Sequence, residues 1–418
     1  MSDDNVQKWA FWALAAAFIV DFLGYAFIVP ILPSWKAQFA LSNTEATALV
    51  SLWAVPLFFF GPKTGRITDR FGAGKTILAS LFLLTASALL YLVATMKLPI
   101  DGFYVLALAR LIHGASGAAI LTAGFAAASQ IWPTRFGEMS GKLIAMATIG
   151  GLLGPVIGGL AYEVDPDLAF ILLAVLTAGV IPLIYVTTNE LGKGDEPVQG
   201  GVPISVFINN PVLFRIGLLV MMTTLATGAL EAGVPLFLGE SLGLNSGWIG
   251  AVLLVMVLAQ GAGGWLWGTL VDKNGPVRYM ILGWSLVTIS LISAGLVAWK
   301  VTDSVIAAYY IIIILGLFQF AIAAAQVPML PMVDTATSQA YGEGGAGLAF
   351  GAFGTAWAAG TIIGPLIIGP VYDYTNSWAF ALGILAVPMA IGLLITLRNK
   401  EMLSDCYDSE MANRASEQ

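Results

Sequence analysis

Three acidic residues in this sequence fall inside long apolar stretches. They are Asp21, Glu231 and Asp334. A carboxylate near the middle of a bilayer costs at least about 2.5–3.5 kcal/mol, so each one needs a partner or a task. A buried carboxylate can hold a proton, or it can bind a cation that replaces the proton. Tyr25 follows Asp21 by one helical turn on the same face and joins the candidate binding residues.

Arg110 and His113 share another apolar stretch, one helical turn apart. Arg110 can hold a fixed positive charge beside a carboxylate, or it can bind backbone carbonyl groups at a gate. His113 can relay protons because imidazole gains and loses a proton near neutral pH. A lone buried histidine is more often a hydrogen-bonded packing residue, and we favour that role for His113.

The acids and the arginine also have structural interpretations that the sequence leaves open. Asp21 could be a hydrogen-bonded carboxylate inside a helical bundle, and Glu231 could be a stabilising partner of Arg110. Asp334 could be a solvated acid at the end of a helix. Arg110 itself could have a purely structural role.

The composition places the chain in a membrane. Of its 418 residues, 58% are hydrophobic and 10% are charged, whereas a soluble domain has about 25% charged residues. The net charge of −7 arises mostly in loops and the C-terminal tail, and no basic patch indicates nucleic-acid binding. One histidine and one cysteine, Cys406, leave no basis for a metal cluster or an internal disulfide. We expect no metal, no nucleic acid and no cofactor, with protons as the coupling ion.

The apolar stretches predict an all-α polytopic membrane protein with twelve transmembrane helices. A helical span needs about 20 apolar residues. The first stretch is longer than the core of a signal peptide, about 7–15 residues, so we interpret it as a permanent span. The twelve predicted spans lie near residues 9–32, 46–63, 76–96, 102–129, 139–162, 168–187, 212–238, 246–268, 279–299, 304–333, 347–371 and 377–397.

The basic residues predict the orientation. With the N-terminus inside, fourteen of the 18 Lys and Arg residues fall in cytoplasmic segments, three fall in outer loops and the last is Arg110. This bias predicts a protein of the cell membrane with both termini in the cytoplasm. We predict an N-terminal six-helix bundle at 1–188, a cytoplasmic linker at 189–210, a C-terminal six-helix bundle at 211–398 and a disordered cytoplasmic tail at 399–418.

A short cassette occurs twice, 203 residues apart. Each copy has a glycine, an aspartate four residues later, a basic residue and a second glycine. The aspartates are suited to meet the positive N-terminal ends of neighbouring helices, so we interpret both cassettes as conformational latches. Their charged residues are Asp69 and Arg70 in the first copy and Asp272 and Lys273 in the second.

A second pair of motifs lies 210 residues apart. Gly154-Pro155 is followed by Glu163, and Gly364-Pro365 is followed by Asp373 at the same distance. Such Gly-Pro segments allow close packing and bending of membrane helices. Internal repetition of this kind is typical of secondary transporters, in which one helical bundle has been built twice.

These motifs resemble the major facilitator superfamily over essentially the whole chain. The first cassette is similar to its signature between helices 2 and 3. Arg110 to Ala119 is similar to its helix 4 signature, with His113 where a glutamine is usual. Gly150 to Gly159 is similar to the helix 5 signature of its antiporter branch. The resemblance implies two pseudo-symmetric six-helix bundles and a transporter, not an enzyme.

Within that branch, the chain resembles the drug:proton antiporters, among them vesicular amine transporters and bacterial multidrug efflux carriers. The resemblance rests on Asp21 before Val29–Pro33, Glu231 before Val234-Pro235, and Asp334 at the end of Pro328–Asp334. It implies that these acids bind cationic amines and protons.

The leading hypothesis is proton-coupled export of an organic cation, such as an aromatic monoamine or a drug, by alternating access. A cation is attracted to the faces of aromatic rings, and four residues are candidates to line its path: Trp53, Phe318, Phe353 and Trp357. The alternative is a proton symporter or facilitator of a neutral or anionic solute, in which the acids carry protons alone. Twelve spans can enclose a path within one chain, so we expect a functional monomer.

Overall fold

The computed structural model describes residues 3–96, 101–192, 209–300, 304–341 and 346–416. Every regular element within these ranges is helical. Twelve segments in them are long and apolar enough to cross a bilayer. The predicted all-α architecture with twelve spans is therefore confirmed.

Seven α-helices form the first six spans. They are α1 (Asp3–Phe27), α2 (Leu32–Phe39), α3 (Asn43–Phe71), α4 (Ala73–Thr95), α5 (Gly102–Ile131), α6 (Phe136–Val164) and α7 (Pro166–Thr187). A 3-10 turn at Val29–Ile31 separates α1 from α2. This break follows from Pro30 and Pro33, which lack the amide hydrogen that a continuing helix would donate.

Nine further helices form the other six spans, and a tenth follows them. They are α8 (Pro211–Leu242), α9 (Ser246–Asn274), α10 (Val277–Lys300), α11 (Ser304–Gln326), α12 (Met329–Tyr341), α13 (Ala346–Ile363), α14 (Pro365–Thr375), α15 (Trp378–Gly383), α16 (Ala386–Arg398) and α17 (Lys400–Ser416). The last three spans, predicted as continuous, are each divided into two helices. The divisions lie next to Pro328, Pro365 and Pro388, each of which removes a helical hydrogen bond.

The chain divides into two compact units. The first comprises Met1–Leu41, Leu52–Gly201 and Asn245–Ala251, and the second comprises Ser42–Ser51, Val202–Leu244 and Val252–Gln418. Each unit therefore includes the first turns of one long helix, α3 or α9, from the other half of the sequence. Of the predicted linker, residues 193–208 lie outside the described residues.

Helix α6 packs against α1 through a glycine at every fourth position. Gly150, Gly154 and Gly158 face backbone groups of α1. A Cβ atom at Gly154 would lie 2.6 Å from the Leu23 carbonyl oxygen, and one at Gly158 would overlap the Phe27 carbonyl group. Small residues permit this close approach of two membrane helices, which larger side chains would prevent.

The second half of the sequence repeats this contact. Gly360 and Gly364, at the end of α13, lie 210 residues after the first two glycines of α6. Cβ atoms at these positions would overlap backbone carbonyl groups of Met221 and Leu225 in α8. The contact of α13 with α8 in the second unit therefore matches the contact of α6 with α1 in the first.

The C-terminal tail forms helix α17, so the predicted disorder is wrong. Leu403, Cys406 and Tyr407 are buried and lie on one face of the helix. The Cys406 thiol donates a hydrogen bond to the Met332 carbonyl group at 3.3 Å. The Tyr407 hydroxyl donates to Asp272 Oδ1 at 2.7 Å. The tail is polar in its overall composition, but it has one apolar face, and this face packs on α9 and α12.

We expect Gly158→Ala to destabilise the protein by about 1–3 kcal/mol, the usual cost of overpacking, because the new methyl group would overlap the Phe27 carbonyl group. Thermal unfolding of the purified protein in detergent measures the effect. Gly151→Ala is the matched control in the same helix, because a Cβ atom there meets nothing within 4 Å. Equal unfolding midpoints for the two variants would contradict the close contact between α1 and α6.

We expect Tyr407→Phe to loosen α17, because it removes the hydroxyl that binds Asp272. A hydrogen bond to a charged group contributes about 1.5–3 kcal/mol, so exposure of the helix face should rise about tenfold or more. Cys406 is the only cysteine of the chain, and its rate of labelling by a maleimide reports that exposure. Ser404→Ala on the same helix is the control. Identical labelling rates in both variants would show that the Tyr407 bond does not hold the helix.

Candidate functional site

Asp21 and His113 form a buried pair between α1 and α5. The Asp21 side chain is wholly inaccessible, and His113 is 1% exposed. His113 Nε2 lies 3.5 Å from Asp21 Oδ1 and 3.1 Å from the Asp21 backbone oxygen. Among the residues that the structure describes, neither carboxylate oxygen has a hydrogen-bond partner, and His113 Nδ1 has none. The sequence favours a packing role for His113, and the structure adds this contact with a candidate acid.

Arg110 makes a second link between the same two helices, one turn away. It is wholly buried, and its Nη1 donates to the Tyr25 carbonyl group at 3.4 Å. Its guanidinium carbon lies 5.4 Å from the centre of the Tyr25 ring. The Arg110 charge also interacts with the Tyr91 hydroxyl of α4. The contact with the Tyr25 carbonyl group is a backbone contact of the kind that the sequence suggests for Arg110, and its roles as a fixed charge or as a structural residue stay predictions.

A group of aromatic rings centred on Trp53 lies beside the Asp21–His113 pair. The Trp53 ring is wholly buried on α3. It lies 4.2 Å from the Tyr25 ring, 6.2 Å from the Phe22 ring and 6.2 Å from the His113 imidazole, measured between ring centres. We call Phe22, Tyr25 and Trp53 the aromatic cluster. Ring faces of this kind attract organic cations.

Two glycines border the pair. A Cβ atom at Gly117 would lie 3.0 Å from Asp21 Oδ2, and one at Gly24 would lie 3.0 Å from His113 Cε1. Any larger side chain at either position would press on the carboxylate or the imidazole. Gly117 and Phe22 are not among the site residues predicted from the sequence, although Gly117 follows His113 by one turn and Phe22 is adjacent to Asp21.

Glu231 belongs to the second compact unit. It lies in α8 and is half-buried, one turn after Thr227 and Gly228 and one turn before Pro235 within the same helix. A Cβ atom at Gly228 would lie 3.3 Å from the Thr361 Cα atom, so α8 and α13 are close here. Asp21, Arg110 and Trp53 lie in the first unit.

The other candidates of the second unit have different degrees of exposure. Phe318 in α11 is wholly buried, whereas Phe353 and Trp357 in α13 are half-buried. Asp334 is part of α12, and its side chain lies outside the described residues. The structure thus brings Asp21, Tyr25, Arg110, His113 and Trp53 together.

The two cassettes form the last turns of α3 and α9, two helices of 29 residues each. The closing glycines, Gly72 and Gly275, have positive φ angles of 87° and 80°. Such left-handed residues end helices, and glycine adopts them at least cost. The repeat in sequence is therefore also a repeat in local structure.

The charged residues of the cassettes have distinct environments. Asp69 is half-buried, whereas Arg70 and Lys273 are exposed. Asp272 accepts the hydrogen bond from Tyr407, so its observed partner is a side chain of the tail helix. The sequence indicates the N-terminal end of a neighbouring helix as the partner of such an aspartate, and Tyr407 was not foreseen.

Gly154 and Pro155 lie in the middle of α6. Gly154 contacts α1, and the Pro155 carbonyl group faces Gly250 in the first turns of α9, where a Cβ atom would overlap it. Pro155 lies inside the helix without ending it. This segment therefore takes part in two close helix contacts, one with α1 and one with α9.

Known proteins resemble this chain over nearly its whole length. "Multidrug resistance protein 2" of Bacillus subtilis is 25% identical over 416 residues, which cover 96% of this chain and 98% of that protein. The human MFS-type transporter SLC18B1 is 26% identical over 89% of this chain and 83% of its own length. The class B tetracycline resistance protein of Escherichia coli is 25% identical over 88% and 90%.

The fold has a counterpart among solved structures. A crystal structure of a bacterial homologue of the human lysosomal transporter Spinster, in an inward-facing and unoccupied conformation, superposes with a TM-score of 0.70. The two chains are 14% identical, and the match covers 98% of this chain and 97% of that one. The family model of the Major Facilitator Superfamily matches residues 14–330. The chain therefore belongs to the Major Facilitator Superfamily, as a multi-pass membrane transporter and not an enzyme.

Proposed function

We propose that this transporter exports an organic cation in exchange for protons, working as a monomer in the cell membrane with both termini in the cytoplasm. The observation that carries the proposal is the Asp21 carboxylate, which is wholly buried beside His113 without a hydrogen-bond donor in the described part of the chain. Relatives whose names refer to multidrug and tetracycline resistance support an organic substrate.

The coupling follows from competition for one carboxylate. An ionised Asp21 deep in a bilayer is costly unless a positive charge accompanies it. A proton and a substrate cation each meet that need, but they do so at the same oxygen atoms. The His113 imidazole, 3.5 Å from the carboxylate, gives the proton a second position at Nδ1, because Nε2 donates to the Asp21 backbone oxygen. Binding of the cation therefore releases a proton, and protonation releases the cation.

Arg110 and the aromatic cluster support this competition. Arg110 is fixed on the Tyr25 carbonyl group and ring, so its positive charge stays near the pair throughout. A permanent charge disfavours a second cation at Asp21 unless that cation gains other contacts. The faces of Tyr25 and Trp53 supply such contacts to an aromatic amine. The site thus favours aromatic cations over small inorganic ones.

The driving force depends on how many protons are exchanged. One proton contributes about 1.4 kcal/mol per pH unit, which is a tenfold gradient of substrate. Exchange of one proton for one monovalent cation moves no net charge. A second proton would add the membrane potential, about 2.3 kcal/mol per 100 mV. Clamping the potential during transport distinguishes the two stoichiometries.

Asp21→Asn should abolish transport driven by a pH gradient, because the amide can neither exchange a proton nor neutralise a cation. The assay uses purified protein in liposomes with an imposed pH gradient and follows a labelled aromatic monoamine. Accumulation by the variant should fall to that of empty liposomes. Asp101→Asn is the matched control. Asp101 is an exposed carboxylate that caps α5 through the Phe103 amide, and its loss should leave transport within about twofold.

His113→Gln should separate binding from coupling. The amide keeps a donor for the Asp21 backbone oxygen but cannot carry a proton. We expect amine binding within about tenfold of the unmodified protein, together with a smaller number of protons released per amine bound in weakly buffered detergent solution. Equal proton release would assign the proton to Asp21 alone.

The unmodified protein tests the proposal as a whole. If the folded protein transports no amine, and another solute stimulates a proton leak, the proposal is rejected in favour of a symporter.

A further inference from the structure

We propose that Asp373 and Glu163 are a pair of latches that hold the starting ends of α3 and α9, and that the two latches release together during the transport cycle. These ends are opposite to the cassettes, which close the same two helices. The proposal concerns the conformational cycle, and it does not depend on which substrate or coupling ion is used.

Asp373 binds the first turn of α3 with four hydrogen bonds. Its Oδ1 accepts from the Asn43 backbone amide at 3.1 Å and from Asn43 Nδ2 at 3.0 Å. Its Oδ2 accepts from the Thr44 backbone amide at 2.8 Å and from Thr44 Oγ1 at 2.7 Å. The first amides of a helix lack partners within the helix, and an anion there also meets the positive end of the helix dipole. A side chain from α14 thus caps α3.

Glu163 makes the corresponding contact at α9. Its Oε1 accepts from the backbone amide of Ser246, the first residue of that helix, at 2.9 Å. Asn43 and Ser246 are 203 residues apart, like the two cassettes, and Glu163 and Asp373 are 210 residues apart, like the two Gly-Pro segments. The repeat thus reproduces both the carboxylate and the helix end that it binds.

A glycine permits each crossing. Gly159 and Gly369 each precede the capping carboxylate by four residues. A Cβ atom at Gly369 would lie 2.7 Å from the Asn43 carbonyl oxygen, and one at Gly159 would overlap the Ser246 carbonyl group. Because both helices lie in backbone contact with the end that they cap, neither carboxylate can keep its bonds if that end moves away.

Two nearby carboxylates show what an ordinary cap does here. Glu45 accepts from the Ser42 amide and hydroxyl at 2.8 Å, within the start of α3. Asp165 accepts from the Leu168 amide at 2.8 Å, at the start of α7. Both caps are local in sequence. Asp373 and Glu163 instead cap helices 330 and 83 residues away, and each joins the two sequence halves within one compact unit.

The test measures the opening of these ends in purified protein in detergent, where both faces are accessible. In a Cys406→Ser background, Thr47→Cys reports on the α3 end and Ile249→Cys on the α9 end, since both positions are buried, at 0% and 1% exposure. Asp373→Asn should speed maleimide labelling of Thr47→Cys about tenfold, the change that loss of a helix cap produces. Glu45→Gln, which removes the same charge from a local cap, should leave the rate within about twofold.

The reciprocal measurement separates a latch from local fraying. If the two latches release together, Asp373→Asn should also speed labelling of Ile249→Cys. Glu163→Gln should speed labelling of both reporters by a smaller factor, about threefold, because the Glu163 carboxylate accepts one hydrogen bond whereas that of Asp373 accepts four, and Asp165→Asn should not. Acceleration confined to the reporter next to the substituted residue would overturn the proposal.

A milder variant covers the case in which Asp373→Asn does not fold. Thr44→Val removes the 2.7 Å hydroxyl bond and keeps the shape of the side chain. It should accelerate labelling of both reporters about threefold. Labelling rates equal to those of the background in this folded variant would also reject the latch.

Discussion

The contact that the first compact unit depends on is the backbone approach of α6 to α1. Because three glycines of α6 have no side chains, the α1 backbone lies directly against the α6 backbone, and α1 has little freedom to slide or rotate on that face. On another side of α1, polar contacts with α5 fix its position. Asp21 lies against His113, and the Tyr25 carbonyl group accepts from Arg110. A helix held by packing on one side and by polar contacts on another can carry a buried carboxylate at a defined position. The same glycine spacing in α13 gives α8 an equivalent support.

The buried charges of the first unit form a small electrostatic system. Arg110 is satisfied by a carbonyl group and an aromatic face, whereas Asp21 keeps both carboxylate oxygens unsatisfied within the described residues. Burial of an unsatisfied ion is expensive, and that expense is what a proton or a ligand can relieve. In the proposed exchange, a proton and a cation would compete for this carboxylate, and the aromatic cluster would favour cations that bind ring faces. A side chain at Gly117 would press on this carboxylate, so the glycine preserves the space that the carboxylate occupies.

Much of the fold could be predicted from the sequence. A segment that crosses lipid must form its backbone hydrogen bonds internally, so it is helical and can be recognised by its length and hydropathy. The resemblance of Arg110 to Ala119 to a helix 4 signature also located the two basic residues of the site. What the sequence could not give was pairing. The contact of His113 with Asp21 depends on the rotation of two helices, and the bond of Asp373 to Asn43 spans 330 residues.

The prediction of a disordered tail was wrong for another reason: Leu403, Cys406 and Tyr407 form one buried face inside an otherwise polar segment. The prolines of the last three spans can be read from the sequence, but only the backbone structure shows which of them divides a helix.

The proline divisions also give the two halves different mechanical stiffness. Five of the first six spans, α3 to α7, are each a single helix, and the divided first span is continuous up to Phe27, beyond Asp21 and Tyr25. The last three spans each contain a joint, at Pro328, at Pro365 and before Pro388. A joint bends at low energy, whereas an unbroken helix transmits displacement along its length. The Asp21–His113 pair is thus mounted on the stiff part of the molecule, where its 3.5 Å separation can be maintained, and elastic deformation during transport would concentrate in the compliant final spans.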